Sequence, residues 1–323
     1  MIFRMFTSIG IGLLFLTAGA ATAANNPTKP IEQKYFATGP HSVLTMKTAA
    51  GCDSKGDACD IWYPADLGST PYPIIAWANG SASTPVASST YTYFLTHLAS
   101  WGFVVIATED GTTGVGQTVL DSIAYLKAQN TTSGSIFDGK LNTTHVGVMG
   151  HSQGATGAAN AMLHGNKSVP GSILTAVTIE LPAQEWCSSS INCLATADLT
   201  AATQGSIFYV AGSADTLLAP NTQSGAAPPL NSETAYYNAT PSAVVKVKAI
   251  IIGPNHNDVE GNPNCPAGLF FCTSGVTGYL GYTTAWMMWK LSGATDGEPA
   301  FRATTGEIFT ETTNWESVLS NVP

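Results

Sequence analysis

Short apolar runs rich in Val, Ile and Phe recur along the chain, separated by polar segments that carry Gly, Pro or Asn. They lie at 41–48 (HSVLTMKT), 59–64 (CDIWYP), 73–78 (PIIAWA), 103–109 (FVVIATE), 145–150 (HVGVMG), 173–180 (ILTAVTIE), 206–212 (SIFYVAG) and 244–252 (VVKVKAIII). Most are continuous rather than alternating, as in strands buried on both faces. Helical spacing fills the gaps. Residues 89–102 set Tyr91, Phe94, Leu95 and Leu98 on one face, and 116–130 repeats the pattern with Val119, Ile123 and Leu126. Segments 152–165 and 275–293 complete the helices. Alternation of strand and helix predicts an α/β fold, with a mainly parallel central sheet and helices on both faces. The first two strands lack a long helix between them, which suits an antiparallel hairpin at one edge. Residues 182–203 and 217–235 read as loops, and 294–323 as peripheral. With no repeat and no long linker, residues 24–323 are expected to form one domain.

The first 23 residues stand apart. They hold one basic residue, Arg4, a short apolar run and a small-residue end, Ala21-Thr22-Ala23. That is the pattern of a cleaved secretory signal and predicts an extracellular or periplasmic protein. No later stretch is apolar and long enough to span a bilayer, so the mature chain has no membrane span. Without Arg4 the mature charge is 11 − 21 = −10. An acidic chain with no basic cluster excludes nucleic acid as a natural partner.

Six cysteines fall into three close pairs, Cys52 with Cys59, Cys187 with Cys193 and Cys265 with Cys272. An even count behind a leader predicts disulfides. Fifteen pairings are formally open; local ones are favoured because each closes a small loop. Neither the gaps nor any neighbouring histidine has zinc-ligand spacing, so no metal site is expected.

The chemistry concentrates at 145–162, HVGVMGHSQGATGAANAM. Here Gly150-His151-Ser152-Gln153-Gly154 joins a buried-type strand to a helix. A Gly-x-Ser-x-Gly turn in that setting exposes the serine Oγ above the carboxyl end of the strand, while the glycines let strand and helix approach. A serine nucleophile needs a base, and the base needs an orienting acid. In the order Ser, acid, His, Asp215 follows the run at 206–212 and His256 follows the run at 244–252. Asp198 and Asp258 do not directly follow a clear strand. His41, His97, His145 and His164 sit on or beside predicted elements, and His151 should point away from its neighbour on so sharp a turn. An oxyanion hole needs two N–H donors. Gln153, just after the nucleophile, supplies one, and Ser81, after the strand at 73–78, is the candidate for the other.

Taken in order, WGFVVIATED, VGVMGHSQGA, SADTLLAP, GPNHND and YTTAWMMWKL resemble segments of the secreted α/β-hydrolases of the cutinase and poly(ethylene terephthalate) hydrolase type, from about residue 58 to 292. The resemblance implies an α/β-hydrolase fold without a large cap domain. It also implies a cofactor-free serine esterase with an open apolar cleft for a small ester, a lipid or a polyester. It places Trp186 beside the substrate; the other reading of that ring is a core or disulfide-packing aromatic. The chain departs from the pattern at Ser81, where such polyester hydrolases usually carry an aromatic, and at Gln153, where they carry methionine. An acyltransferase or lipase on the same fold, or a non-catalytic secreted binding protein, are the competing functions.

Overall fold

The computed structural model describes residues 26–81, 87–186, 193–225, 228–263, 265 and 272–323. The expected leader, residues 1–23, lies outside them. In chain order the elements are α1 (Pro30–Phe36), β1 (Val43–Lys47), β2 (Cys59–Pro64), β3 (Tyr72–Ala78), α2 (Thr92–Ser100), β4 (Val104–Thr108), α3 (Gln117–Gln129), β5 (Leu141–His151), α4 (Gln153–Ser168), β6 (Thr175–Ile179), α5 (Thr196–Thr200), β7 (Ser206–Gly212), α6 (Glu233–Ala239), β8 (Val245–Ile251), α7 (Thr277–Ser292), α8 (Glu307–Thr310) and β9 (Trp315–Ser320).

The strands form one nine-stranded sheet in the order β1-β2-β4-β3-β5-β6-β7-β8-β9. β3 to β8 run parallel, and the antiparallel pairs lie toward the two edges: β1 with β2, β2 with β4, and β8 with β9. This is the α/β-hydrolase fold. The continuous apolar runs follow from a core on each face. Ile75 and Trp77 of β3 point to one side, packed with Phe94 and Leu98 of α2 and Trp286 and Leu291 of α7. Ile74 and Ala76 point to the other, with Val119 and Ile123 of α3 and Ala155 and Ala158 of α4. Each large side chain removed from water in this way contributes about 1.5–3 kcal/mol before ordering costs. Among the described residues, no helix is long and apolar enough to cross a membrane.

Five segments differ from expectation. The end of the chain is not peripheral: β9 pairs with β8 and buries Trp315 against Phe208 and Tyr282. A single fully buried residue and a break at Ser317 (φ 52°) hide it from any periodicity. α1 lies within the stretch between the leader and the first apolar run, where no helix was expected, and packs on α7. β5 begins at Leu141, because the polar stretch before His145 pairs with β3 ahead of a register shift near Pro73. Within the loops expected at 182–203 and 217–235, α5 forms and α6 begins. Disulfides join Cys52 to Cys59 and Cys265 to Cys272. Cys193 is disulfide-bonded, and its expected partner, Cys187, lies outside the described residues.

Candidate active site

Ser152 caps the N-terminus of α4 at φ 55° and ψ −124°, a backbone shape that L-residues seldom adopt. Two glycines allow it. A Cβ on Gly150 would sit 2.2 Å from the Gly154 carbonyl oxygen, and one on Gly154 would sit 2.1 Å from the Ala78 carbonyl oxygen. Strand, turn and helix therefore touch backbone to backbone. The Ser152 N–H donates to the Ile179 oxygen at 3.0 Å, which ties the turn to β6.

Asp215 and His256 reach this serine from the ends of β7 and β8. His256 Nε2 is 2.8 Å from Ser152 Oγ, and His256 Nδ1 is 2.6 Å from Asp215 Oδ2. The Asp215 carboxylate also accepts the N–H groups of Leu218 (2.9 Å) and Ala219 (3.1 Å). Burial pushes the Asp215 carboxyl up, but the His256 ring and these two donors outweigh it and hold the group below its ordinary value. Asp215 is thus an anion beside the imidazole at neutral pH.

The rival acids are elsewhere. Asp198 pairs with His164 at 3.5 Å on the surface. Asp258 is fully buried and accepts the N–H groups of Asn255, Thr273, Ser274 and Gly275, so it staples the His256 loop to the start of α7. His97 is buried and donates from Nε2 to the Tyr35 oxygen at 2.9 Å, while His41 faces Asp66 at 2.9 Å near the surface.

His151 does point away from Ser152, yet it belongs to the site. Burial, and then the neighbouring His256, lower its pKa to about 3, so the ring is neutral. Its Nε2–H donates to the His256 carbonyl oxygen at 2.7 Å, and Nδ1 accepts from Tyr91 Oη at 2.9 Å. The Tyr91 oxygen in turn accepts the Gly80 N–H at 3.0 Å. One buried chain therefore links the Gly80 loop to the histidine loop. Glu260 Oε1 stands 3.6 Å from the same Nδ1, but a neutral ring makes no ion pair with it. Nothing in a single sequence marks this role for His151 except its position inside the motif.

Gln153 is the first residue of α4, whose N–H has no acceptor within the helix and faces the positive end of the helix dipole. Ser81 is exposed, immediately after the buried Asn79 and Gly80; residues 82–86 lie outside the described residues. The loop is held from behind, where Asn79 Nδ2 donates to the Thr108 oxygen at 2.7 Å and Thr113 Oγ1 donates to the Asn79 oxygen at 2.9 Å. Trp186 is 45% exposed, so it is not a core aromatic. Its Nε1–H donates to the Leu217 oxygen at 2.8 Å, which fixes the ring to the loop that carries Asp215.

Residues 18–189, just over half of the chain, match the family described as PETase, PET hydrolase-like. The chain belongs to that family. The match takes in Ser152, Gln153 and Trp186, while Asp215 and His256 lie beyond it and stand on geometry. The chain is also similar to a bis(hydroxyethyl) terephthalate hydrolase of Streptomyces coelicolor (strain ATCC BAA-471 / A3(2) / M145). The two are 30% identical over 156 residues, 45% of this chain and 48% of that protein. The match thus spans about half the length of that relative.

Proposed function

We propose that the protein is a serine carboxylic-ester hydrolase of the polyesterase type. The observation that supports this reading best is the continuous file Ser152 Oγ, His256 Nε2, His256 Nδ1, Asp215 Oδ2, with contacts of 2.8 and 2.6 Å. In this reading His256 takes the Oγ proton as Ser152 attacks the ester carbonyl, and Asp215 stabilises the imidazolium that forms. The N–H groups of Gln153 and Ser81 hold the oxyanion. His256 then protonates the departing alcohol, leaving an acyl group on Ser152. Water, deprotonated by the same histidine, releases the acid. No other group is needed for these steps.

The family and the similar terephthalate-ester hydrolase support carboxylic esters as substrates, and the exposed Trp186 gives the acyl portion an aromatic wall. The same proposal makes residues 1–23 a leader and 24–323 one exported catalytic domain, a reading supported by its bonded cysteines.

The test is a chain-length series of nitrophenyl esters run beside an insoluble polyester film, with Ser152→Ala as partner. Preference for short acyl chains with release of soluble acid from the film is expected. Ser152→Ala should lower turnover by about a million-fold. Appreciable turnover by a folded Ser152→Ala protein overturns the nucleophile. Activity confined to long chains overturns the polyesterase reading.

A further inference from the structure

A second buried acid stands beside the file of Ser152, His256 and Asp215. Glu180 is the residue directly after β6, fully buried, with its backbone at φ 53°. A left-handed conformation is strained for a non-glycine residue, and such strain clusters at functional sites. The β6 and β7 ends are neighbours, with Ile179 opposite Val210, so the residues that follow them enter the same space. Glu180 Oε1 accepts the Gly212 N–H at 2.7 Å and the Tyr279 hydroxyl. Its Oε2 is buried without a hydrogen-bond partner. One oxygen of Glu180, one of Asp215 and one ring nitrogen of His256 all lie within 4.8 Å of one another.

Two carboxylates this close in a dry site do not both ionise. Asp215 has the imidazole and two backbone donors, so it takes the charge. Glu180 is left with the proton, because burial and then the Asp215 charge raise its carboxyl well above the ordinary range. Around it stand Asp215 and His256 from the β7 and β8 ends, Tyr279 from α7 and Glu233 from α6. The Tyr279 hydroxyl is pushed far up by burial and by Glu180, while burial pushes Glu233 up against the opposing pull of the neighbouring Lys248 ammonium and the Leu181 N–H.

We propose that Glu180 is a reserve acid of the site, a positioning residue that keeps its proton while Asp215 is charged and becomes the anion beside His256 when Asp215 is neutralised. The inference rests on the triad reading above. The exchange is a simple acid dissociation: with Asn at 215 the Glu180 proton leaves to solvent, and the carboxylate that remains stabilises the His256 imidazolium.

The experiment is the pH–rate profile of Asp215→Asn, alone and combined with Glu180→Gln, on a soluble nitrophenyl ester between pH 6 and 10. An asparagine in place of a triad aspartate normally costs about 10,000-fold. Asp215→Asn alone should instead recover with pH, by up to about tenfold per unit, as Glu180 ionises. Asp215→Asn/Glu180→Gln should stay flat and fall at least about tenfold below it at pH 9. Tyr279→Phe in the Asp215→Asn background removes one donor to Glu180 and should move the rise to higher pH, which a purely structural tyrosine would not do. Superimposable profiles with and without Glu180 overturn the proposal. If the double variant does not fold, a flat Asp215→Asn profile, or a Tyr279→Phe change that leaves its midpoint in place, does the same. Failure of the triad reading has a different signature, turnover surviving Ser152→Ala or His256→Ala with Asp215 intact.

Discussion

Replacing Gly154 with alanine adds a single methyl group at the tightest point of the site. That methyl carbon would lie 2.1 Å from the Ala78 oxygen, 2.5 Å from the Ala78 carbonyl carbon and 2.6 Å from the Asn79 oxygen. Ordinary contact begins near 3.5 Å, so the start of α4 must withdraw from the end of β3 by about 1 Å. All three obstacles are backbone, and the Asn79 segment is anchored by Thr108 and Thr113. Overpacking of this kind costs about 1–3 kcal/mol. At roughly 2 °C per kcal/mol for a chain this long, the melting temperature should fall by about 2–6 °C. The larger effect is on rate. Ser152 caps the displaced helix, while His256 is held from β8 and by Asp258, so the hydroxyl and the imidazole separate. A misplacement near 1 Å costs about 100-fold. Thermal melts monitored by circular dichroism, with kcat and KM on nitrophenyl acetate, should show a modest loss of stability and a kcat about 100-fold lower. Gly68→Ala is the control, since its methyl would meet nothing closer than 3.6 Å. A Gly154→Ala protein that melts and turns over like its parent would refute the backbone-contact argument for the turn.

Tyr91→Phe removes the hydroxyl shared by the Gly80 N–H and His151 Nδ1. Two buried polar groups lose a partner at about 1–3 kcal/mol each, and kcat should fall more than KM rises; unchanged kcat would disconnect the Gly80 loop from the reaction. A second test concerns Glu32, whose carboxyl is raised to about 8, chiefly by burial and further by Glu311 and Glu307, although it accepts from Trp315 Nε1. A raised folded pKa means that the native state favours the protonated acid, while the unfolded chain ionises near 4.5. The contribution is therefore full below about pH 4.5 and is lost as pH climbs through 8, by at most about 1.4 kcal/mol per unit. Glu32→Gln should gain stability over the parent at pH 8.5 and little at pH 5, in guanidinium unfolding at both values. An equal gain at the two pH values would contradict burial as the cause.

What the sequence made legible was whatever a local pattern encodes. Runs such as 59–64 and 206–212 coincide with β2 and β7 residue for residue, because a strand covered on both faces is apolar along most of its length. The Gly-x-Ser-x-Gly turn was legible for a related reason: backbone-to-backbone approach leaves room only for hydrogen, which restricts the sequence at fixed offsets. The same logic fails where one long-range contact does the work. β9 is secured chiefly by Trp315, with only the half-buried Val318 packed beside it, and α1 by docking on α7, so neither shows a period. The link from Gly80 through Tyr91 and His151 to the His256 carbonyl joins four distant segments by hydrogen bonds that no spacing announces.

Glu180 is a different case, because its signal was present in the pattern. It ends the apolar run at 173–180, where an acid must either reach water or enter a dry interior. A full charge cannot be buried without a partner, so an acid in such a place is neutral, paired or both. Its neighbour in the folded chain, Asp215, follows the adjacent parallel strand, and parallel strands end side by side. An acid just beyond each of two adjacent strand ends, with a histidine beyond the next, brings two carboxylates together, and burial then leaves only one of them charged. Applied to chains of this fold, that rule ties the number of charged acids at the site to strand order, and the Asp215→Asn profile measures it directly.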